Sequence, residues 1–240
     1  GIACYPDHSE IADGLVQCAD NAMRYAKRTG RNRTHLFRED AADAVTADGA
    51  HQEINWGTGM ETIRALAAAL DAKDSYTASH SEAVKILSVK IAARMRLDAK
   101  QGEILEWAGL LHDIGKVAVP DSILNKPGAL EPDEWAIIRE HPRMGVLVLK
   151  EAPQLSTIIP IVLHHHENFD GSGYPIGIAG EGIPLLARIM RVADVYMAMV
   201  SARPYRKALS SPEAWIEIEK ASGRLFDPTI VEVFERVIAS

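Results

Sequence analysis

Residues 101–115, QGEILEWAGLLHDIG, predict an apolar helix that ends in a histidine–aspartate pair and a glycine. A glycine is a common residue just beyond a helix end, which gives Gly115 a plain structural role. The pair His112 and Asp113 has little packing rationale at the end of an apolar helix, because a buried carboxylate needs a partner. This stretch therefore predicts a helical domain that places chemically active side chains at the end of one helix.

The helical pattern continues on both sides of this stretch. METIRALAAALDAKD, residues 60–74, and TASHSEAVKILSVKIAARMRL, residues 77–97, repeat apolar residues at helical spacing. Ser211-Pro212 and Asp227-Pro228 each pair a capping residue with a proline, which is typical of a helix start. The expected fold class is mainly α, with an all-helical bundle over 59–240.

The first 58 residues have a different pattern. Residues 1–38 predict a strand, a helix and a second strand, with Gly30 ending the helix. Two strands and one helix make a poor domain alone, so this piece is expected to be the end of a larger domain. Residues 39–58 are small, acidic and weakly patterned, which predicts a linker.

The composition excludes some function classes. The 240 residues are 47% hydrophobic and carry a net charge of −7, which argues against a nucleic-acid polymer or an anionic membrane as partner. An anionic substrate stays open, because bound cations reverse the field in a cleft. Cys4 and Cys18 do not suggest a disulfide framework, so a cytoplasmic setting is expected. No apolar run approaches the ~20 residues of a membrane span, although a membrane-anchored parent protein remains open.

HHHENFDGSGYP, residues 164–175, places three consecutive histidines before a glycine-rich turn. Successive side chains of a helix are about 100° apart, so the three imidazoles cannot all face one point. Two adjacent rings can bind one metal while the third points away, and this geometry leaves open which two. Gly171, Gly173 and Tyr174-Pro175 predict a turn, either an ordinary surface loop or one that lines the site.

Other candidate ligands are spread along the helical part of the chain. Each alone has an ordinary explanation, such as a salt bridge or a buried histidine, but several together favour a metal centre. They are His80, His112, Asp113, His141 and Asp194. Nitrogen and oxygen ligands without thiolates suit iron, manganese or zinc. Basic residues near these motifs suggest phosphate contacts: Lys116, Lys126, Arg188, Arg203, Arg206 and Lys207.

Several spaced motifs together resemble the HD-GYP domain, a subgroup of the HD phosphohydrolase superfamily. They are HDIGKVAVPDSILNKPGALEPDEW (112–135), EHPRMG (140–145), HHENFDGSGYPIGIAGEGIPLLARI (165–189), ADV (193–195) and RPYRKAL (203–209). The resemblance covers roughly 60–240 and implies an all-helical fold. It implies metal-dependent hydrolysis of cyclic di-GMP, a bacterial second messenger, to linear pGpG and on to GMP. Some members of the family prefer cyclic GMP-AMP.

The resemblance also implies roles for particular residues. One metal would be bound by His80, His112, Asp113 and Asp194. Asp113 would bridge to a second metal, which would be bound by His141, His165 and His166. His164 would lie outside this set. The implied cofactors are two divalent ions, first iron or manganese, with zinc, nickel, magnesium and calcium as alternatives.

The implied mechanism is two-metal phosphodiester hydrolysis, with Asp113 and Lys116 as the catalytic residues. Lys116 matches a lysine that lies close to the substrate phosphate in this family. The expected substrate contacts are Lys116, Lys126, Tyr174, Arg188, Arg203 and Arg206.

Three positions depart from the family pattern. Tyr76 stands where members with a third metal have glutamate, so two metals are expected. Met197 and Leu225 replace a frequent aspartate and the usual glutamine. These two motivate an alternative, a weakly active or inactive module that binds cyclic dinucleotides and regulates a neighbouring domain. A further alternative is hydrolysis of 3′,3′-cyclic GMP-AMP or another nucleotide, although the Gly-Tyr-Pro loop argues against a general nucleotide phosphohydrolase.

The N-terminal piece resembles the last third of a GGDEF domain. The resemblance rests on GIACYP (1–6) and ADNAMRYAKRTGRNR (19–33), with Arg24 where a tyrosine is usual. The expected domains are therefore the end of a GGDEF-like domain (1–38), a linker (39–58) and an HD-GYP domain (59–240). The expected partners are a cyclic dinucleotide, GGDEF or sensory domains of the parent chain, and a second copy in a homodimer.

Overall fold

The computed structural model describes residues 2–8, 80–201 and 207–239, together with single positions between them: 15, 16, 18, 19, 22, 23, 26, 34, 36, 67 and 73. The chain divides into two compact units, Gly1–Asn55 and Trp56–Ser240. Tyr76, Arg203, Arg206 and the predicted linker lie outside the described residues.

In the first unit, Ile2 forms an isolated parallel β-bridge with Leu36. The described positions between 15 and 26 are helical, and Cys4 and Cys18 are free thiols. Among the described residues of this unit, the two predicted strands are represented by one bridged pair, Ile2 and Leu36. The helical residues lie between them in the sequence. That this unit derives from a GGDEF domain stays a prediction.

In the second unit, the described residues form α-helices joined by turns and short 3₁₀ helices. The α-helices are α1 (His80–Arg94), α2 (Ala99–Leu111), α3 (Asp121–Leu124), α4 (Pro132–Arg139), α5 (His141–Leu149), α6 (Ile159–His164), α7 (Leu185–Val200), α8 (Ser211–Lys220) and α9 (Pro228–Ile238). The 3₁₀ helices are Ile114–Ala118, Pro153–Ile158 and Gly180–Gly182. The predicted mainly α fold is confirmed.

Side-chain caps explain where several helices begin. The Asp227 side chain accepts a hydrogen bond from the Thr229 amide at 2.8 Å, as expected for the start of α9. The cap of α8 is Ser210, one residue before the predicted start. Ser210 lies three residues before Glu213, whose carboxylate accepts from the Ser210 amide at 2.8 Å, which completes a capping box.

Helix α7 lies at the centre of the bundle and packs against α1, α2, α6, α8 and α9. Its apolar residues join a core of fully buried side chains that includes Ile91, Leu105, Ile161, Met190 and Phe234. A side chain on α7 is therefore surrounded by protein on several sides. Asp194, in the middle of this helix, is a buried carboxylate and needs a partner.

No helix among the described residues is long and apolar enough to cross a membrane. The longest, α7, has 16 residues, whereas a span needs about 20.

Candidate metal centre

The structure brings the seven residues predicted as ligands into two groups. Cluster A consists of His80, His112 and Asp194, and cluster B consists of Asp113, His141, His165 and His166. Within each cluster, the atoms able to bind a metal all lie within 4.8 Å of one another. All of these residues are buried except His166, which is partly exposed. Their grouping makes both clusters candidate cation sites.

A glycine allows two of the contributing segments to meet. His112 and Asp113 lie between α2 and the 3₁₀ helix Ile114–Ala118, and that 3₁₀ helix packs on α5, which begins with His141. A Cβ atom on Gly115 would lie 1.8 Å from the His141 carbonyl oxygen, so any other residue would push the two segments apart. The backbone contact at Gly115 therefore places Asp113 beside His141.

Asp113 belongs to cluster B, but its carboxylate also faces cluster A. Its Oδ2 is 3.3 Å from His112 Nε2 in cluster A, and its Oδ1 is 3.2 Å from His141 Nε2 in cluster B. Its Oδ1 is also 4.0 Å from His165 Nε2, and Lys116 Nζ pairs with Oδ2 at 2.8 Å. One carboxylate that presents an oxygen to each cluster is suited to bridge two cations.

The side chains of cluster A have the donor atoms that a divalent cation needs. His80 Nε2 lies 3.0 Å from Asp194 Oδ1. His112 Nε2 is buried and forms no hydrogen bond with any described residue. Its nearest charged neighbour is Asp113 Oδ2 at 3.3 Å, and a bound cation would satisfy a buried nitrogen that lacks a well-aligned hydrogen bond. The donor set of imidazoles and carboxylates is also one that divalent transition metals prefer.

Three of the histidine rings are oriented by the backbone. His112, His141 and His165 each place Nδ1 beside the carbonyl oxygen three residues earlier. The acceptors are Gly109 at 2.8 Å, Ile138 at 2.7 Å and Val162 at 2.7 Å. Because a carbonyl only accepts, Nδ1 carries the proton and a neutral ring keeps its lone pair on Nε2. Such bonds fix the ring orientation of metal ligands and were not predicted from the sequence.

The three consecutive histidines point in different directions. His165 and His166 both belong to cluster B, and their ring centroids are 4.0 Å apart. His164 lies outside both clusters, and its Nδ1 is 3.7 Å from Glu167 Oε1. The structure thus groups the pair that the resemblance implied, and the third ring points toward a buried carboxylate. That His165 and His166 bind a metal stays a prediction.

The loop after the histidines is held against cluster B by Glu167. The buried carboxylate of Glu167 accepts hydrogen bonds from the amides of Ile176 at 2.8 Å and Gly177 at 3.0 Å. Tyr174 of the same loop stacks on His166, with ring centroids 4.8 Å apart and an angle of 26°. The predicted turn therefore lies along cluster B. Glu167 was not predicted to hold it, although the sequence places Glu167 directly after two candidate ligands.

Interactions between histidines and carboxylates in cluster A shift the pKa values of His112 and Asp194. Burial disfavours the charged form of His112, but the carboxylates of Asp113 and Asp194 raise its pKa to about 9. Burial likewise disfavours the ionised form of Asp194, but a hydrogen bond from His80 and the nearby histidines hold its pKa well below the usual range. Without a cation, His112 is therefore protonated at neutral pH, and a metal and a proton compete for it.

In cluster B, the pKa values of His165 and His166 shift in the opposite direction. Burial and the neighbouring imidazoles lower the pKa of His165 to about 3, and the same causes lower the pKa of His166. Burial opposes ionisation of Asp113, but the ammonium of Lys116 and nearby His112 hold its pKa well below the usual range. His165 and His166 are therefore neutral imidazoles and Asp113 is an ionised carboxylate at neutral pH, the forms that bind metals.

The residues predicted as substrate contacts differ in their surroundings. Lys126 Nζ donates to Glu134 Oε2 at 2.7 Å. Arg188 pairs with Asp227 and thereby joins α7 to the start of α9. Lys116 and Tyr174 lie at cluster B, as described above. Whether any of them contacts a substrate, and the same role for Arg203 and Arg206, stays a prediction.

Arg191 is a polar residue of the site that the sequence analysis did not single out. It lies on α7, three residues before Asp194, and its Nη1 is 3.3 Å from His166 Nδ1. Its Nη2 donates to Asn168 Oδ1 at 2.8 Å. The sequence feature that could have indicated Arg191 is its position as the one basic residue in the apolar segment 189–200, which also carries Asp194.

Comparison with known proteins places this arrangement in a family. A family model described as HD domain matches residues 64–230. The cyclic di-GMP phosphodiesterase response regulator RpfG of Xanthomonas campestris pv. campestris is 42% identical over 178 residues, which cover 73% of this chain and 47% of the relative. The cyclic di-GMP phosphodiesterase PA4108 of Pseudomonas aeruginosa is 44% identical over 170 residues, 70% of this chain and 41% of the relative. The chain thus spans less than half the length of these relatives.

A solved structure has the same fold. The crystal structure of a cyclic GMP-AMP specific phosphodiesterase of V. cholerae (V-cGAP3) aligns with a TM-score of 0.60 and 22% identity, covering 75% of this chain and 48% of that chain. At this identity, the likeness supports the fold alone. Since the family model matches well over half of the residues, the chain belongs to the HD domain family.

Proposed function

We propose that this chain is a metal-dependent phosphodiesterase that hydrolyses cyclic di-GMP to pGpG, GMP or both, with two divalent ions. The observation that carries the proposal is Asp113, whose two carboxylate oxygens face His112 of cluster A and His141 of cluster B. A shared carboxylate between two such clusters is the arrangement that a two-metal site requires. Two relatives above 40% identity that are named cyclic di-GMP phosphodiesterases support this choice of substrate.

The two clusters divide the proposed metal ligands between them. One ion would be held by cluster A with Asp113, and the other by cluster B, with iron or manganese preferred by this donor set. Bound divalent cations supply Lewis-acid chemistry, which neutralises charge on a phosphate group and makes an attacking water more acidic. The rings of His112, His141 and His165 are already oriented for this role by their Nδ1 hydrogen bonds, so these three ligands need little rearrangement.

Lys116 is proposed to act on the substrate phosphate. Its ammonium lies 2.8 Å from Asp113 Oδ2 and its side chain is 18% exposed, so it borders the bridging carboxylate and reaches the surface. An ammonium has three donors and can hold Asp113 while it also donates to a non-bridging phosphate oxygen. Charge that develops on that oxygen during hydrolysis would be stabilised by the fixed positive group.

The test pairs metal analysis with a product assay on anaerobically purified protein. Asp113→Ala should lose bound metal and reduce hydrolysis of cyclic di-GMP by about a thousandfold, as expected for the loss of roughly 4 kcal/mol of charge stabilisation. Asp133→Ala is the matched control, because Asp133 is an exposed residue of α4 outside both clusters. A fully active Asp113→Ala variant would rule out the proposed site.

Two alternatives are separated by the same assay. Relatives with this fold include a cyclic GMP-AMP specific enzyme, so the substrate panel contains 3′,3′-cyclic GMP-AMP and nucleoside triphosphates beside cyclic di-GMP. The regulatory module is motivated by Met197 and Leu225, whose side chains pack against the apolar core where the family has polar residues. Tight binding of cyclic di-GMP with full metal loading but very slow product formation would favour that module.

A further inference from the structure

Arg191 brings a positive charge into direct contact with cluster B. Its guanidinium contacts His166 Nδ1 through Nη1 at 3.3 Å and Asn168 Oδ1 through Nη2 at 2.8 Å. Its Nε is buried and forms no hydrogen bond with any residue that the structure describes. The group is thus only partly satisfied by the protein, which is unusual for an arginine with a purely structural role.

The contact gives His166 a hydrogen-bond pattern unlike that of the other oriented histidines. His112, His141 and His165 donate from Nδ1 to carbonyl oxygens, which leaves Nε2 as the atom that can bind a metal. A guanidinium has only donors, so in the contact with Arg191 the Nδ1 of His166 is the acceptor. A neutral imidazole has one nitrogen lone pair, and here Arg191 uses it. A cation that binds His166 must take that same lone pair.

We propose that Arg191 competes with the divalent cation of cluster B for the lone pair of His166 and thereby weakens binding of that cation. The inference rests on the proposed function only in its premise that the two clusters bind divalent ions. Binding at His166 then requires the guanidinium to give up its contact, and the hydrogen bond to Asn168 holds the guanidinium in place. The positive charge also opposes a second cation nearby.

Arg191 acts through His166 in this proposal and is a positioning residue. An ordinary structural role, in which Arg191 only ties α7 to Asn168, predicts the opposite effect of its removal. Loss of a structural support would leave the affinity of cluster B unchanged or lower it, because partners of metal ligands normally strengthen binding. The direction of the change in affinity therefore distinguishes the two roles.

The experiment measures Mn²⁺ binding to the metal-free chain by calorimetry and by the electron paramagnetic resonance signal of free Mn²⁺. Arg191→Met removes the charge and the donors, and Arg191→Gln removes the charge but keeps amide donors. We expect the second Mn²⁺ to bind about ten- to a hundredfold more tightly to Arg191→Met, with a smaller gain for Arg191→Gln. Lys150→Met, which removes one exposed charge after α5, should change neither affinity.

A second background tests whether the gain passes through His166. In a His166→Ala chain, Arg191→Met should give a much smaller gain, because the contested lone pair is gone and only the loss of the positive charge still acts. An equal gain with and without His166 would overturn the proposal, and so would an unchanged or weaker second affinity in Arg191→Met. Thermal unfolding of the metal-free variants checks their fold, and if Arg191→Met does not fold, the Arg191→Gln result decides.

The outcomes separate this inference from the proposed function. A wild-type chain that binds two ions with no gain in the Arg191 variants overturns the inference alone. A wild-type chain that binds one ion and a variant that binds two supports it. If neither wild type nor variant binds Mn²⁺, the two-metal function and this inference fall together.

Discussion

Clusters A and B are built from the same two residue types but lie in different electrostatic surroundings. In cluster A, Asp194 accepts from His80, and two carboxylates raise the pKa of His112 to about 9. In cluster B, Lys116 pairs with Asp113 and Arg191 contacts His166. Two carboxylates thus face His112 in the first cluster, whereas a guanidinium adjoins His166 in the second; Lys116 pairs with the Asp113 oxygen that faces the first. Clusters with similar side chains can therefore differ in their affinity for a cation, and in the pH dependence of that affinity, because of the charged residues around them.

The largest effects are expected when one cluster is removed at a time, which tests whether each cluster binds its own ion. His80→Ala should abolish binding at cluster A and leave one ion, and His141→Ala should do the same at cluster B. Each variant should lose hydrolysis by about a thousandfold, because a two-metal reaction needs both ions. Metal content per chain, measured by mass spectrometry beside the product assay, checks this prediction. Two ions retained in either variant would contradict the assignment of the clusters.

The pH dependence of metal binding should distinguish the clusters next. His112 is protonated near neutral pH and must lose a proton to bind a cation, so affinity at cluster A should rise about tenfold per pH unit between pH 7 and about 9. His165 and His166 are already neutral there, so they add no such rise at cluster B. Calorimetry in buffers of different ionisation enthalpy counts the released protons. Equal proton release at both clusters would count against this difference.

The same raised pKa affects stability in the absence of metal. The unfolded value for histidine is about 6.5, and the folded value of His112 is about 9. Ion pairing of His112 therefore stabilises the metal-free fold fully below pH 6.5, and this contribution is lost as the pH rises through 9.

The smallest expected effect concerns the loop beside cluster B. Glu167→Gln keeps the shape of the side chain but removes the charge that accepts from the Ile176 and Gly177 amides. The free energy of unfolding should fall by about 1–2 kcal/mol, the usual cost of weakening a buried charged hydrogen bond. Cluster A should keep its Mn²⁺ affinity. Urea unfolding of the metal-free chain measures the loss, and Glu151→Gln, at an exposed position after α5, serves as the control.

Much of the architecture could be predicted because its causes are local. A few neighbouring residues determine the helical spacing, the cap at Asp227 and the helix starts at prolines. The predicted cap of α8, Ser211, was wrong by one residue, because Ser210 and Ser211 both precede Pro212. The Nδ1 bonds of the histidines also span only three residues, and a helical reading of their segments could have suggested them.

The part of the site that could not be predicted from the sequence depends on contacts between residues that are far apart in the chain. Arg191 and His166 are 25 positions apart on different elements, so no local pattern indicates that their side chains meet. The same limit applies to Lys126 and Arg188, which suggested phosphate contacts from the sequence. In the structure each pairs with a carboxylate, Glu134 and Asp227 respectively.

Gly115, which has no functional group, sets the distance between the two segments that carry Asp113 and His141. Its bare backbone rests on the His141 carbonyl, at a point where even a methyl group would collide. The distance between Asp113 and His141 is thus tied to this backbone contact. In a mutational scan, we expect Gly115 to tolerate replacement as poorly as Asp113 and His141 do.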